Sequence, residues 1–205
     1  MTQPSRIPHD WLQPQWPAPA GVRALCTTRA GGVSTGPCAS LNLGSHVGDD
    51  PSAVQANRQR LQAVVQGATP GARAVFLNQV HGTAVATINP ATPDGTEADA
   101  CVATQPGAVC TIMVADCLPV LLAHGSGAVV GAAHAGWRGL AGKGGVGVLE
   151  AVFERFKALA LSDKALAAIK NEANGMLAAH TMAWLGPCIG PTAFEVGAEV
   201  REAFC

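Results

Sequence analysis

The stretch ADCLPVLLAHGSGAVVGAAHAGWRG, residues 115–139, decides how this chain is interpreted. Two apolar, strand-length runs flank Gly125 and Ser126, which is typical of a β-hairpin with a two-residue turn. In that register Cys117 faces His134, with Cβ atoms roughly 4.5–5.5 Å apart. A thiolate and an imidazole at this distance can share a metal ion, or the imidazole can deprotonate the thiol. The sequence therefore predicts a reactive centre at the open end of the hairpin.

The residues that flank this pair also carry chemistry. Asp116 precedes the cysteine, and we expect its carboxylate to orient a ligand or to pass protons. Arg138 lies on the glycine-bearing turn after the hairpin and can bind phosphate or carboxylate, although an arginine that packs on Trp137 in solvent is the common alternative. Pro119 cannot donate a ladder hydrogen bond, so it indicates an edge, a bulge or a different register.

A further histidine follows another apolar run. We predict a strand over residues 74–80 that leads to His81 and a second strand over 85–88, which together suggest a hairpin that ends in histidine. If His81 joins Cys117 and His134, the three bind zinc and leave a fourth position open for water or substrate, as in catalytic zinc sites. A histidine that only shapes a turn is an equally good interpretation of position 81.

A polar loop, SLNLGSHVGDDP at residues 40–51, precedes an amphipathic helix that ends near Gly67. Asn42 in the loop and Arg58 on the helix are candidate substrate-binding residues, though turn formation explains Asn42 as well. Further predicted elements are strands over 22–27, 108–115, 128–133 and 181–185, and helices over 146–159, 163–179 and from 193. This mixture predicts an α+β fold, a single domain over residues 1–205 with mixed β-sheets flanked by helices.

Composition excludes several classes of partner. The net charge is only −1 and 48% of the residues are apolar, so no broad field attracts nucleic acid or an anionic membrane. The apolar runs are well short of the roughly 20 residues that cross a bilayer, and the N-terminal residues lack the apolar segment of a signal peptide. Seven cysteines without a C-x-x-C pair argue against a disulfide scaffold. We expect a soluble cytoplasmic protein.

Seven segments carry a resemblance to a known family. In chain order they are TTRAGGVSTG (27–36), SLNLGSHVGDDPSAVQANR (40–58), NQVHGTAV (78–85), EADACVAT (97–104), ADCLPVLL (115–122), HAGWRG (134–139) and GPCIGPTAFEVGAEV (186–200). Together they resemble the laccase-like multicopper polyphenol oxidase family, also described as purine nucleoside phosphorylases and including the peptidoglycan editing factor. In that family the metal ligands are the histidine of NQVHG, the cysteine of ADCLP and the histidine of HAGWRG, which correspond here to His81, Cys117 and His134.

The resemblance implies a zinc-containing site that cleaves adenosine, inosine, guanosine and methylthioadenosine with phosphate and deaminates adenosine to inosine. It implies a mixed α+β fold, with small-molecule nucleosides and phosphate as partners. Copper is the less favoured metal, because the sequence lacks the histidine pairs of a trinuclear copper cluster. The resemblance also implies a C-terminal segment with an F-F-S-x-R-R-like motif, which this chain is expected to lack.

Two other functions remain open at this stage. In a thiol hydrolase or amidase, Cys117 would be the nucleophile and His134 its base, with no metal required. In a binding or editing module, the chain would act on peptidoglycan precursors. The oligomeric state is left open.

Overall fold

The computed structural model describes residues 7–162 and 179–205. The chain divides into two compact units. The first contains the described residues up to Gln15 and Ala24–Ala74, and the second contains Trp16–Arg23 and the described residues from Val75 to Cys205. The single domain over 1–205 stays a prediction. The helix predicted over 163–179 lies, except for its last residue, outside the described residues.

The first unit is built on helix α1, Pro51–Ala68. Asp50 caps it by accepting a hydrogen bond from the Ser52 N–H at 2.8 Å, and proline occupies the first turn, where its missing N–H has no cost. One face of α1 is buried through Val54, Leu61, Val64 and Val65. These features confirm the helix predicted from the sequence.

The strand predicted over residues 22–27 is wrong, because the segment makes only one isolated antiparallel bridge, between Leu12 and Cys26. Continuing that ladder would pair Ala24 with Pro14. A proline has no N–H to donate, so the ladder stops after a single pair.

The polar loop is fixed by Asn57, a completely buried residue of α1. Its Nδ2 lies 2.9 Å from the Ser34 Oγ and 2.8 Å from the carbonyl oxygen of Asn42, and its Oδ1 accepts the Val33 N–H at 2.9 Å. Asp49 completes the network by accepting hydrogen bonds from Ser34 Oγ at 2.6 Å and from the Asn42 side chain at 2.8 Å. Side chains thus supply the hydrogen bonds that a loop backbone cannot make with itself.

We expect the loop to lose stability in acid through Asp49. The hydrogen bonds from Ser34 and Asn42 lower the pKa of this carboxyl below its ordinary value, which is about 3.9. A depressed folded-state pKa stabilises the protein above the unfolded-state pKa, and this contribution disappears as the pH falls through the folded-state pKa. The free energy of unfolding should therefore fall less between about pH 6 and about pH 3 in Asp49→Asn than in the wild type. Equal pH profiles would contradict this assignment.

The second unit contains a five-stranded mixed sheet. Its strands are β2 (Val85–Thr87), β3 (Ala100–Ala103), β5 (Leu118–His124), β6 (Val130–Ala135) and β7 (Thr181–Leu185), in the order β2-β3-β6-β5-β7. β2 and β3 are parallel, and the other neighbours are antiparallel. Strands β1 (Arg73–Phe76) and β4 (Ala108–Thr111) form a separate two-stranded sheet. The other α-helices among the described residues are α2 (Trp137–Ala141), α3 (Val148–Ser162) and α4 (Ala198–Phe204). The α+β fold with mixed sheets is confirmed.

Helix α3 covers the middle of this sheet. Val148, Val152 and Phe156 are at most 1% exposed and pack in one cluster with residues of β3 and β6. The chain of β6 is close to the helix, because a Cβ on Gly131 would already be in van der Waals contact, 3.5 Å, with the Phe156 ring. The small residues of β6 therefore allow the helix to approach closely and to exclude water from the centre of the unit.

The hairpin of β5 and β6 has a different register from the predicted one. His134 pairs with Pro119 and Ala123 pairs with Val130, so Cys117 does not directly face His134. The His124 N–H also donates to the Val129 carbonyl at 3.0 Å, which leaves the four residues 125–128 in the turn. Gly127 adopts a φ of +75° in this wider turn, which a two-residue loop over Gly125 and Ser126 would not use. The shift is two residues, and an even shift keeps side chains on the same face of a sheet.

The predicted hairpin of residues 74–80 and 85–88 is also wrong. β1 pairs with β4, whereas β2 pairs in parallel with β3. The connection between β1 and β2 is not a hairpin turn, because its N–H groups at residues 80–82 bind the side chain of Asp99. Strand β4 likewise ends at Thr111, short of the predicted 115.

Among the described residues, no helix has both the length and the apolar character needed to cross a lipid bilayer. The cytoplasmic location stays a prediction.

Candidate metal centre

Three side chains from distant parts of the second unit converge on one point. The ligand atoms of His81, Cys117 and His134 all lie within 4.8 Å of one another. The Cys117 Sγ is 3.9 Å from the His81 Nε2, and the two imidazole rings meet edge to face with centroids 4.6 Å apart. Tetrahedral zinc with ordinary bond lengths separates its nitrogen and sulfur ligands by about 3.3–3.6 Å. The three residues therefore fit a metal ion after a closure of at most about 1.5 Å.

His134 is oriented for this role by its position on β6. It is 4% exposed, and its Nδ1 lies 2.9 Å from the Asp99 Oδ1. A proton on Nδ1 that is donated to a carboxylate leaves Nε2 as the free ligand atom. This arrangement of carboxylate, histidine and metal is common because it fixes the ring and raises its basicity.

Asp99 is the site residue that the sequence interpretation missed. It is fully buried, and its two oxygens accept hydrogen bonds from the backbone N–H groups of Val80, His81 and Gly82 at 3.1, 2.8 and 2.7 Å, besides that from His134. Burial by itself would raise the pKa of Asp99, but the hydrogen bonds from the histidine and the three N–H groups outweigh it, and the pKa is lowered. One carboxylate therefore holds both histidines.

His81 has an uncommon backbone conformation, with a φ of +60°. A non-glycine residue in this region costs of order 1–3 kcal/mol and persists where its surroundings hold it. The hydrogen bonds from the consecutive N–H groups of residues 80–82 to Asp99 supply that support. The exposed imidazole is thus presented at the cluster by a strained but well-anchored turn.

Cys117 lies in the bend just before β5. Burial raises the pKa of its thiol, and the negative charges of Asp116 and Asp99 raise it further. The metal-free site therefore favours the protonated thiol over the thiolate. A metal ion that binds here must displace that proton, as cysteine-ligated ions do.

Gly136 keeps the space between the ligands open. It is buried, its φ of −72° suits any residue, and a Cβ there would lie 2.9 Å from both the Cys117 Sγ and the His81 Cδ2. We expect Gly136→Ala to push these two side chains apart and to lower zinc affinity. Overpacking of this kind typically costs about 1–3 kcal/mol.

The matched control for this substitution is Gly21→Ala, because a Cβ at Gly21 meets nothing within 4 Å. Zinc titration by competition with a chelator measures both variants. Similar affinities of Gly136→Ala and Gly21→Ala would mean that the methyl group is tolerated and that Gly136 does not shape the cluster.

Asp116 directly precedes Cys117 in the sequence, and Arg138 follows His134 by four positions. Both side chains are exposed. The charge of Asp116 is close enough to raise the pKa of Cys117. The guanidinium carbon of Arg138 lies 4.3 Å from the centroid of the Trp137 ring, so the packing alternative is observed. The catalytic role of Asp116 and the catalytic and phosphate-binding roles of Arg138 stay predictions.

Asn42 and Arg58 belong to the first unit. The Asn42 side chain donates to the Gly44 carbonyl at 3.1 Å and accepts its N–H at 3.0 Å, besides its contact with Asp49. The Arg58 Nε donates to the Leu43 carbonyl at 2.9 Å. Both therefore shape the polar loop, and their substrate-binding role stays a prediction.

The fold and the site define the class of protein. It is an α+β protein with a candidate metal centre of two histidines and one cysteine, in which a buried aspartate positions the histidines. The chain belongs to the family described as multi-copper polyphenol oxidoreductase laccase, whose model matches residues 23–205. This confirms the resemblance found in the sequence.

Curated relatives carry a more specific name. Proteins named purine nucleoside phosphorylase from Pseudomonas aeruginosa and Escherichia coli K12 are each 48% identical to the chain, covering 95% and 94% of it and 68% and 69% of the relatives. The crystal structure of a Neisseria meningitidis protein matches the chain with a TM-score of 0.76 and 43% sequence identity. The match covers 96% of this chain and 70% of the Neisseria chain. YlmD from Geobacillus stearothermophilus has a TM-score of 0.75 at 30% identity, covering 98% and 70%. The names of the two curated relatives support an enzymatic role.

Proposed function

We propose that the chain is a metal-dependent purine nucleoside phosphorylase. The observation that carries this proposal is the convergence of His81, Cys117 and His134 within 4.8 Å of one another. The naming of the curated relatives supports nucleosides and phosphate as substrates. Following the resemblance, the proposed nucleosides are adenosine, inosine, guanosine and methylthioadenosine, with deamination of adenosine to inosine as a second reaction.

Zinc is the metal that the donor set favours. Two imidazole nitrogens and one thiolate suit a borderline ion, and three protein ligands leave one coordination position open. A thiolate also suits Cu(I), so copper remains the second choice. A bound zinc ion supplies Lewis-acid chemistry and lowers the pKa of water toward neutrality.

Residues of the chain are proposed to position the ligands, hold phosphate, transfer protons and contact the substrate. His134 and His81 are held in place through Asp99, so the ligand geometry is set before substrate binds. The exposed guanidinium of Arg138 is available to hold phosphate as positive charge develops on the ribose. Asp116 is exposed beside Cys117, and its proposed role is to orient a ligand or to pass protons. Asn42 and Arg58 are proposed to contact substrate through the loop that they stabilise.

The thiol hydrolase is the second candidate, because Asp99, His134 and Cys117 have the composition of a catalytic triad. A nucleophilic cysteine needs a lowered pKa, however, and that of Cys117 is raised by burial and by two negative charges. The electrostatics therefore favour metal binding over thiolate attack. A peptidoglycan-editing module is the third candidate, and it follows from the resemblance alone.

One experiment separates these candidates. Zinc is quantified in the purified chain, and phosphate-dependent release of the purine base from inosine and the other three proposed nucleosides is measured on the same sample. Stoichiometric zinc with phosphate-dependent turnover supports the proposal. Hydrolysis of a nucleoside by metal-free protein without phosphate would favour the thiol enzyme. Bound zinc without turnover of any of the four nucleosides would favour a binding module.

Arg138 is tested in the same assay. Removing its charge in Arg138→Gln should raise the KM for phosphate about 10-fold or more, since a charge-assisted hydrogen bond contributes about 1.5–3 kcal/mol. Arg155→Gln on α3 is the matched control, because Arg155 is also exposed and lies on a helix. An unchanged KM for phosphate in Arg138→Gln would remove this residue from the proposed mechanism.

A further inference from the structure

Gln79 is a buried polar residue, 9% exposed, two positions before His81. Its side chain makes two hydrogen bonds to one residue, because Nε2 donates to the Met113 carbonyl at 2.8 Å and Oε1 accepts the Met113 N–H at 2.8 Å. The amide therefore imitates the backbone of a neighbouring strand. It joins the segment that carries His81 to the segment that carries Cys117.

This junction lies where regular pairing has ended. β1 stops at Phe76 and β4 stops at Thr111, so both segments have left their strands when they reach Gln79 and Met113. On its other side the His81 segment is fastened by the bridge between Asn78 and Glu97 and by the hydrogen bonds to Asp99. Gln79 adds the fastening toward Cys117.

We propose that Gln79 is a positioning residue that sets the separation of His81 and Cys117 and thereby the metal affinity of the centre. The proposal rests on the proposed metal-dependent function. Gln79 acts through the backbone of Met113, four residues before Cys117. The Sγ to Nε2 distance of 3.9 Å is close to the separation of about 3.5 Å that zinc requires, so a small displacement of either segment matters.

The variant that tests this role is Gln79→Met, which keeps the length of the side chain and removes both hydrogen bonds. The matched control is Gln62→Met. Gln62 makes the same kind of two-bond clamp, donating to the Ala72 carbonyl at 2.6 Å and accepting the Ala74 N–H at 3.0 Å, and none of these residues belongs to the His–Cys–His cluster. A general loss of stability should affect both variants alike.

Zinc affinity is measured by competition with a chelator, and the absorption spectrum of the Co²⁺-loaded protein reports thiolate ligation by Cys117. We expect about 10–100-fold weaker zinc binding and an altered cobalt spectrum in Gln79→Met, as for other residues that support metal ligands. Gln62→Met should match the wild type in both. Wild-type affinity and spectrum in Gln79→Met would overturn the positioning role while leaving the metal centre intact.

A wild-type chain that binds neither zinc nor cobalt would instead overturn the proposed metal-dependent function itself. If Gln79→Met does not fold, amide hydrogen exchange of the wild type decides. Coupling between the clamp and the metal is reciprocal, so zinc should slow exchange of the Met113 N–H and leave that of the Ala74 N–H unchanged. An equal response of the two amides would contradict the proposal.

Discussion

Replacing Cys117 with alanine should abolish stoichiometric zinc binding and lower both phosphorolysis and deamination by more than about 100-fold. Removing a residue that only supports the metal ligands typically lowers metal affinity or activity about 10–100-fold. Cys117 is itself a ligand of the proposed centre, so we expect a loss beyond that range. Its Sγ lies 3.9 Å from the His81 Nε2 and belongs to the three-residue cluster, so the substitution leaves two ligands. Metal analysis of the purified variant measures the bound zinc, and assays of inosine phosphorolysis and adenosine deamination measure the two activities.

The control for this prediction is Cys188→Ala. Cys188 is also a free cysteine but is exposed and is not a member of the cluster. We expect it to retain zinc and turnover. Full activity of Cys117→Ala in both reactions would remove the metal mechanism.

Replacing Asp99 with asparagine should destabilise the protein by about 3 kcal/mol and weaken metal binding as well. Each carboxylate oxygen accepts two N–H donors, and an asparagine turns one of these acceptors into a donor. The two N–H donors that bonded to that oxygen then face the NH₂ group of the fully buried asparagine and have no acceptor. Each unpaired buried donor costs about 1–3 kcal/mol. Urea denaturation of the metal-free protein measures the first effect, and zinc titration measures the second.

Asp50→Asn is the matched substitution. Asp50 caps α1 from an exposed position, and asparagine caps helices about as well as aspartate does. Its free energy of unfolding should therefore change by no more than about 0.5 kcal/mol. If Asp99→Asn were equally mild, the carboxylate would not be the anchor of the two histidines.

Features that depend on neighbouring residues were predictable from the sequence. Helix α1 has its cap, its proline and its apolar stripe within one segment, and the strand Thr181–Leu185 is a continuous run with turn residues beyond it. The three cluster residues also follow from local signals and from the motifs that contain them. For the helix and the strand, the deciding interactions lie within a few residues of one another.

Features that depend on the detailed geometry of a turn or on side chains from elsewhere in the chain were not predictable. The hairpin register was wrong by two residues because the turn widens around Gly127, and the second hairpin was wrong because Asp99 takes the N–H groups of the turn. Strand β4 ends early where the Gln79 side chain pairs with Met113. The one available signal for Asp99 was an acidic residue directly before the fully buried run ACVA, since a buried carboxylate requires donors.

The shared anchor at Asp99 makes the two imidazoles mechanically dependent. The same oxygen accepts the His81 N–H and faces the His134 ring nitrogen, so any movement of that carboxylate displaces both. Defects at the two histidines should consequently overlap instead of summing when combined in a double variant. Loss of this one acid would therefore weaken ligation by both histidines at once.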